Sequence, residues 1–173
     1  AELSMERRLG ASEEDILEVQ NNLAGAYDVM GRRVEASHML RDVYSGRLKL
    51  FGEEDRDTLA AAHNYASTLL ALRRLEEAKS LLRKTIPVAR RVLGESDDAT
   101  LRMRWTYAKT LYEDDGPTLD DIRKAVTTLE KIEQTARRVF GGAHPTVAQV
   151  EGSLQYARDT LCDREMRSAV PPS

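Results

Sequence analysis

Aromatic residues are scarce in this chain of 173 amino acids, where they make up 5% of the positions. Hydrophobic residues account for 41% and charged residues for 32%, a balance that suits packed helices with small core side chains and solvated outer faces. Cysteine is scarcer still, since Cys162 stands alone. An intrachain disulfide is therefore excluded, and a reducing, cytoplasmic compartment is expected.

Long apolar runs and a strong charge imbalance are also missing. No stretch approaches the roughly 20 apolar residues that a membrane-spanning helix needs, and no apolar signal-peptide core lies near the start. The formal net charge of −3 is mild and provides no basic face for nucleic acid. We therefore expect neither a membrane nor a nucleic acid as a partner.

The sequence lacks the groupings of side chains that carry enzyme chemistry. His38, His63 and His144 fall in different surroundings, and none has a second histidine or a cysteine at metal-ligand spacing. No glycine-rich run precedes a Lys-Ser or Lys-Thr pair, which excludes a phosphate loop. Cys162 is interpreted as a buried or idle thiol. We expect no enzyme activity, no catalytic residue, no metal and no cofactor.

What the chain does contain is a repeat with a step of 42 residues. Glycine recurs at this step at Gly10, Gly52 and Gly94. A fixed period in this range is typical of stacked helical repeats, which present a curved surface. Other residue types keep the same step: Leu17, Leu59 and Leu101; Asn22 and Asn64; Ala24, Ala66 and Ala108; Ala36 and Ala78.

The spacing of apolar residues between these glycines predicts about seven helices. Helix pairs are expected at residues 13–51, 56–93 and 98–140, followed by a last helix at 145–167. Residues 1–9 match the end of a second helix, because Leu9-Gly10 aligns with Phe51-Gly52. We expect one domain over residues 1–167 and a flexible tail at 168–173. Both ends fall inside repeat units, which indicates a fragment or a short array with capping half-repeats.

One interruption breaks the period. The step from Ala78 to Ala125 is 47 residues, and 47 − 42 leaves five extra residues, which fall in Glu113–Asp120. The register returns afterwards, since Arg90–Gly94 matches Arg137–Gly141. The insertion is therefore predicted to lengthen a turn and to leave the packing of the helices intact.

A second pattern lies inside the repeats. The first repeat contains Asn-Asn-Leu-Ala at Asn21–Ala24 and a tyrosine at Tyr27. These are followed by Gly-Arg at Gly31-Arg32 and Glu-Ala at Glu35-Ala36. In these residues the chain resembles the tetratricopeptide repeats, in the long variety found in kinesin light chains and nephrocystin-like proteins. The resemblance covers nearly the whole chain. It implies a right-handed all-α solenoid of helix hairpins with a concave face that binds other proteins.

The chain departs from the family pattern at three turns. The family's Gly-x-x-His-Pro connection is present at Gly141–Pro145, but Asp55-Arg56 and Asp97-Asp98 stand in place of His-Pro in the earlier loops. Arg73 replaces a glycine that the family has between the helices of a pair. We therefore expect the backbone at residue 73 to have fewer accessible conformations than a glycine would have there.

The resemblance implies that the first helix of each pair lines the concave face. Asn22 and Asn64 occupy the place where such repeats hold an asparagine that grips a peptide backbone, and an amide can both donate and accept. The alternative is that each asparagine only bonds the neighbouring helix. The positions that face inward in the family can be matched to this sequence one by one. The candidate peptide-binding residues among them are Asn22, His63, Asn64, Ser67, Arg102, Trp105, Lys109 and Tyr112.

The third pair contributes cations and aromatic rings to this set. Arg102 and Lys109 lie two helical turns apart, with Trp105 and Tyr112 nearby. Such a group suits a peptide that carries a carboxylate beside an apolar residue. The alternative is that Trp105 packs between helices and that the two cations are merely solvated.

These observations predict a non-enzymatic module for protein–protein interaction, which binds a peptide or helical segment of a partner in its concave groove. The alternative is a structural scaffold or assembly segment of a larger complex. In that case the open helical ends expose apolar stripes through which the chain self-associates. The expected state is a monomer, or a weak self-association through the terminal helices.

Overall fold

Seven α-helices make up most of the chain in this computed structural model, which describes residues 12–113 and 116–169. No strand occurs within these residues, so the predicted all-α fold is confirmed. The predicted partial helix at 1–9 lies outside the described residues. In chain order the helices are α1 (Glu13–Val29), α2 (Arg33–Phe51), α3 (Arg56–Ala71), α4 (Leu75–Val92), α5 (Asp98–Tyr112), α6 (Leu119–Phe140) and α7 (Pro145–Ala169).

The last helix is longer than the sequence predicts. Helix α7 continues through Ala169, so residues 168 and 169 of the predicted tail are helical. The remainder of that tail, residues 170–173, lies outside the described residues, as do residues 114 and 115 of the insertion. The loop before α6 ends at Thr118, whose side chain caps α6 by accepting from the N–H of Asp121 at 3.1 Å.

Loops that depart from the family's His-Pro pattern still cap the helices that follow them. Asp55 accepts a hydrogen bond from the N–H of Thr58 at 2.7 Å, and Asp97 accepts from the N–H of Ala99 at 2.9 Å. At the third connection the Nδ1 atom of His144 accepts from the N–H two residues further on, at 3.3 Å. Both aspartates therefore satisfy helix N-termini, as the imidazole does at α7.

The turn at Arg73 keeps the geometry that glycine has elsewhere. Gly31, between α1 and α2, has a φ of +78°, and Arg73, between α3 and α4, has a φ of +61°. In both turns the next N–H donates to the carbonyl five residues earlier, at 2.8 Å after Gly31 and 2.9 Å after Arg73. Arg73 therefore adopts a left-handed conformation that is unfavourable for any residue with a Cβ atom.

Contacts between residues divide the chain into two compact units at the bond between Val92 and Leu93. In the first unit α1 packs on α2, α2 on α3 and α3 on α4. Small residues allow the helices to approach closely, and a Cβ atom on Gly46 would lie only 2.7 Å from Cδ2 of Leu17. Six alanines among the described residues of this unit are completely buried: Ala24, Ala36, Ala62, Ala66, Ala78 and Ala89. One continuous domain over residues 1–167 stays a prediction.

The second unit contains α5, α6 and α7. Helix α6 packs on α5 and on α7, and α5 also contacts α7 directly. The core consists of branched side chains that are almost entirely shielded from solvent. Its main members are Leu101, Ile122, Leu129, Ile132, Val147 and Val150. The direct contact between α5 and α7 brings polar and aromatic side chains of these two helices together on one face.

Candidate functional site

The candidate residues of the first unit lie on the face that α1 and α3 form. Nδ2 of Asn64 donates a hydrogen bond to Oδ1 of Asn21 at 3.1 Å, and Asn22 is exposed to solvent. Asn64 therefore bonds the neighbouring helix, which was one of the two interpretations of this residue. Because Asn64 uses a single amide hydrogen in this bond, its other hydrogen and its oxygen have no partner among the described residues.

His63 and Ser67 lie one turn apart on α3, beside Asn64. The Oγ atom of Ser67 is 3.3 Å from Nε2 of His63, and both residues are half-buried. The structure thus brings three predicted residues of α3 together, next to the asparagines of α1. Their hydroxyl, imidazole and amide groups offer both donors and acceptors to a ligand.

A cavity of about 230 Å³ opens between α1 and α3. Its back wall includes Arg47 of α2, a cation that is only 8% exposed. Nη1 of Arg47 lies 3.4 Å from Oδ2 of Asp57, and its guanidinium lies 6.0 Å from the ring of Phe51. The full lining is Glu14, Glu18, Asn21, Asn22, Arg47, Asp57, Ala60, Ala61 and Asn64.

Arg47 occupies a position that is alanine in the later repeats. Counting back from the glycine that ends each second helix, Arg47 corresponds to Ala89 and Ala136, and both alanines are fully buried. A buried guanidinium is unfavourable unless it is paired. Asp57 supplies the charge partner, and α1 and α3 leave the cavity in front of the pair.

The candidate residues of the second unit lie where α5 contacts α7. Nε1 of Trp105 donates to Oγ of Ser153 at 3.0 Å, so the indole is anchored to α7. The rings of Tyr112 and Tyr156 are 5.5 Å apart and inclined at 47°. Tyr112 is buried, whereas 59% of Tyr156 is exposed. Three of the chain's few aromatic side chains therefore lie on one face, and one of them is open to solvent.

Burial controls the ionisation of Tyr112. Desolvation raises the pKa of its phenol to about 12, and the charges of Glu113 and Tyr156 raise the pKa further. A hydrogen bond with Ser153 acts in the opposite direction. Tyr112 is thus neutral at physiological pH and serves as a hydrogen-bonding, aromatic part of the face.

Both predicted cations of this unit have a carboxylate close by, on Asp98 in the first turn of α5 and on Glu113 just after its end. Nε of Arg102 lies 3.3 Å from Oδ2 of Asp98, and Nζ of Lys109 lies 3.4 Å from Oε1 of Glu113. Nζ of Lys109 is also 6.0 Å from the centre of the Trp105 ring. Arg102 is exposed and Lys109 is half-buried. Because exposed pairs of this kind are weak, a partner's carboxylate can compete for both cations.

Sequence reasoning left four residues of these faces out of the candidate set. Ser153 and Tyr156 come from α7, and the register of the repeat places them on the same side as the first helices. Arg47 was missed because it comes from a second helix, and Asp57, which lies at the start of α3, was not among the inward positions taken from the family. The substitution of arginine for a recurrent alanine was the signal in the sequence that could have identified Arg47.

The described residues contain neither a metal-binding cluster nor a helix suited to crossing a membrane. Residues 12–113 and 116–169 contain no group of three or more His, Cys, Asp or Glu side chains placed to hold a metal ion. Over the same residues, no helix combines the length and the apolar character that crossing a bilayer requires.

Comparison with known proteins decides the family. A sequence model described as the tetratricopeptide repeat matches residues 16–57 and 58–98. These residues are tetratricopeptide repeats. The resemblance found in the motif is confirmed, and the period of 42 residues corresponds to the tetratricopeptide unit. No curated protein sequence matches the chain significantly.

Solved structures of tetratricopeptide-like proteins share the fold. A variant of kinesin light chain TPR-like repeats from Podosopora anserina has a TM-score of 0.75 and 21% identity, and the match covers 95% of this chain and 76% of that one. BtubC (BKLC) from P. vanneervenii has a TM-score of 0.69 and 17% identity, with coverage of 99% and 72%. A second structure of the Podosopora repeats has a TM-score of 0.66 and 20% identity, with coverage of 98% and 84%. At these identities the likeness establishes the fold. Tetratricopeptide repeats generally mediate protein–protein interaction.

Proposed function

We propose that this tetratricopeptide chain is a non-enzymatic binding module for an extended peptide or a helical segment of a protein partner. The segment lies on the face of the first helices within a unit, which is α1 with α3 in the first unit or α5 with α7 in the second. On the first face its backbone pairs with Asn22, Asn64 and Ser67. On the second face its apolar side chains contact Trp105 and Tyr112. The module acts without a cofactor, and we place it in the cytoplasm.

The observation that carries this proposal is the exposed ring of Tyr156, which contacts Tyr112 and lies on the same helix as the partner of Trp105, Ser153. Aromatic residues are 5% of the chain, yet three of them gather where α5 meets α7, around the hydroxyl of Ser153. Rigid rings with a polar atom are the usual centres of binding energy in protein interfaces. The remaining donor and acceptor atoms of Asn64 provide the complementary hydrogen bonds in the first unit.

Differential capture from a cell lysate tests the proposal. Wild-type protein is compared with the Asn22→Ala/Asn64→Ala double variant, with Lys109→Glu and with Tyr156→Ala. We expect each variant to lose partners that the wild type retains, because each change removes a contact without touching the buried core. Asp42→Asn, an exposed change on α2, serves as the control and should retain them. Recovery of the wild-type partners by all three test variants would refute the proposal.

A second function, self-assembly, is favoured by one observation at the end of the first unit. Leu48, Leu50 and Phe51 on α2 are 38% to 45% exposed. Beside them lies a cavity of about 570 Å³, which Ile16, Leu17 and Leu50 help to line. Such apolar surface suits contact with another protein or another copy of this chain.

Sedimentation analysis separates the two functions. If the chain assembles through this end, Leu50→Glu should lower its mass in solution, whereas Tyr156→Ala should not. If the chain is a monomer at concentrations of tens of micromolar, self-assembly is excluded and the binding module remains.

A further inference from the structure

We propose that the cavity on the α1–α3 face receives a lysine or arginine side chain of the bound segment. This inference rests on the proposed function, since it names the chemistry of the partner that this face selects. The observations behind it are the charges that line the cavity, the room in front of Arg47 and the contrast with the second unit.

The charges around the cavity do not balance. Its lining contains three carboxylates, on Glu14, Glu18 and Asp57, and one guanidinium, on Arg47, which gives 1 − 3 = −2 when all are ionised. Asp57 and Arg47 lie 3.4 Å apart and neutralise each other. Neither Glu14 nor Glu18 forms an ion pair within residues 12–113 and 116–169. The excess negative charge is therefore on α1.

Glu14 and Glu18 are four residues apart on one helix, so their side chains face the same side. Two like charges at this spacing repel each other and destabilise the helix slightly. A cation placed between them relieves this repulsion. It also gains charge-assisted hydrogen bonds, which are stronger than bonds between neutral groups.

The cavity has room for the end of a long side chain. Its volume is about 230 Å³, and the part of the wall that α3 forms includes the small residues Ala60 and Ala61. Ammonium and guanidinium groups only donate hydrogen bonds, and the cavity supplies carboxylate and amide oxygens as acceptors. The amides of Asn22 and Asn64 lie at the same cavity, so the backbone next to the basic residue has partners there.

A carboxylate is the competing occupant, because Arg47 is a cation in the cavity wall. That cation already faces Asp57, and an incoming carboxylate would meet Glu14 and Glu18 as well. The second unit differs in sign at the corresponding position, since 18 + 84 = 102 and residue 102 is arginine. Selection of a basic residue is therefore a property of the first unit alone.

A titration of the intact chain, monitored by NMR of ¹⁵N-labelled backbone amides, tests this inference. The probes are three peptides, acetyl-Gly-Ser-X-Ser-Gly-amide, in which X is arginine, citrulline or glutamate. Citrulline keeps the shape of arginine and removes the charge. We expect the arginine peptide to bind about fivefold or more tightly than the citrulline peptide, and the glutamate peptide to bind weakest. The shifts should centre on Glu18, Asn22 and Asn64, and salt should weaken binding.

Two matched variants locate the effect. Glu18→Gln removes one charge from the cavity with little change in shape, and we expect it to reduce the preference for arginine over citrulline by about threefold or more. Asp42→Asn removes one charge from the exposed side of α2, outside the cavity, and should leave the preference unchanged.

The outcomes distinguish this inference from the proposed function. Equal binding of the arginine and citrulline peptides at α1 and α3 would overturn the choice of a basic residue and leave the peptide-binding face intact. Shifts at other helices, or no shifts with any peptide, would overturn the cavity as a binding site. The capture experiment with Asn22→Ala/Asn64→Ala then decides separately whether the chain binds a partner through this face.

Discussion

In each unit a hydrogen bond joins the same two positions of the repeat on neighbouring first helices, but the side chains at these positions differ. In the first unit Asn64 bonds Asn21, which is 43 positions earlier; in the second, Trp105 bonds Ser153, which is 48 positions later. The insertion of five residues between α5 and α6 accounts for the difference, since 48 − 5 = 43. The repeat therefore fixes which positions meet between first helices, and the side chains there determine the chemistry of the face.

The consequences of this difference extend along each face. The first unit presents amides, carboxylates and a cavity, whereas the second presents an indole and two phenol rings. Polar groups orient a ligand and select its charge, while buried aromatic area supplies most of the binding energy. The two faces are thus suited to different chemical groups of a ligand.

The largest effect is expected when the equivalent member of each bond, Trp105 or Asn21, is replaced by alanine. Trp105→Ala loses buried aromatic surface as well as a hydrogen bond, and we expect a loss of about 2–4 kcal/mol in the free energy of unfolding. Asn21→Ala loses one hydrogen bond between partly exposed amides, about 1 kcal/mol. Urea denaturation curves measure both. Equal losses would mean that the indole contributes no more than an amide and that the contrast between the faces is superficial.

The second contrast concerns high pH. Desolvation on burial raises the pKa of Tyr112 from 10.0 to about 12. The neutral phenol therefore makes its full contribution to the free energy of unfolding below pH 10. The unfolded chain ionises near pH 10 and the folded chain does not, so this contribution is lost as the pH rises from 10 to about 12. The loss should reach about 2 kcal/mol at pH 12. Denaturation between about pH 9 and 12 measures it, and Tyr112→Phe should remove this part of the decline. An unchanged decline in that variant would contradict the assignment.

The third prediction concerns the buried cation of the first unit. Asp57→Ala leaves Arg47 without its charge partner, and we expect a loss of about 1–2 kcal/mol. The double variant Arg47→Met/Asp57→Ala replaces the pair with an apolar residue of similar volume, and it should be at least as stable as the wild type. Thermal denaturation compares the three proteins. A double variant less stable than Asp57→Ala would show that the guanidinium has a structural role beyond the pair.

The smallest effect is expected at the turn between α3 and α4. Arg73 has a φ of +61°, where a Cβ atom is unfavourable and glycine is not. Arg73→Ala keeps the Cβ atom and Arg73→Gly removes it, so the glycine variant should be the more stable of the two by about 1 kcal/mol. Comparing these two variants removes the contribution of the arginine side chain. An alanine variant as stable as the glycine variant would contradict the argument from backbone strain.

Much of the fold follows from the sequence because the repeat is specified redundantly. Gly52, Gly94 and Gly141 end helices with φ between +84° and +96°, and alanines recur where helices cross. The insertion at Glu113–Asp120 was located by simple counting. The sequence located Asp55 and Asp97 in place of the family's His-Pro, and the structure adds that their side chains cap the helices that follow.

The faces were less predictable than the fold. Neighbouring positions such as Asn21 and Asn22 differ by about 100° around a helix, and the structure pairs Asn64 with Asn21. Arg47 comes from a second helix and reaches the α1–α3 face through the length of its side chain, which a register of first helices cannot indicate. The aromatic group around Ser153 depends on the direct contact between α5 and α7.

The most direct test of the account is a map of backbone amide shifts when the chain binds a peptide selected from a random display library. The account predicts that the shifts concentrate on the first helices, around Asn22 and Asn64 in the first unit or around Trp105 and Tyr156 in the second. Shifts confined to α2, α4 and α6, or to the apolar end near Leu50, would contradict it.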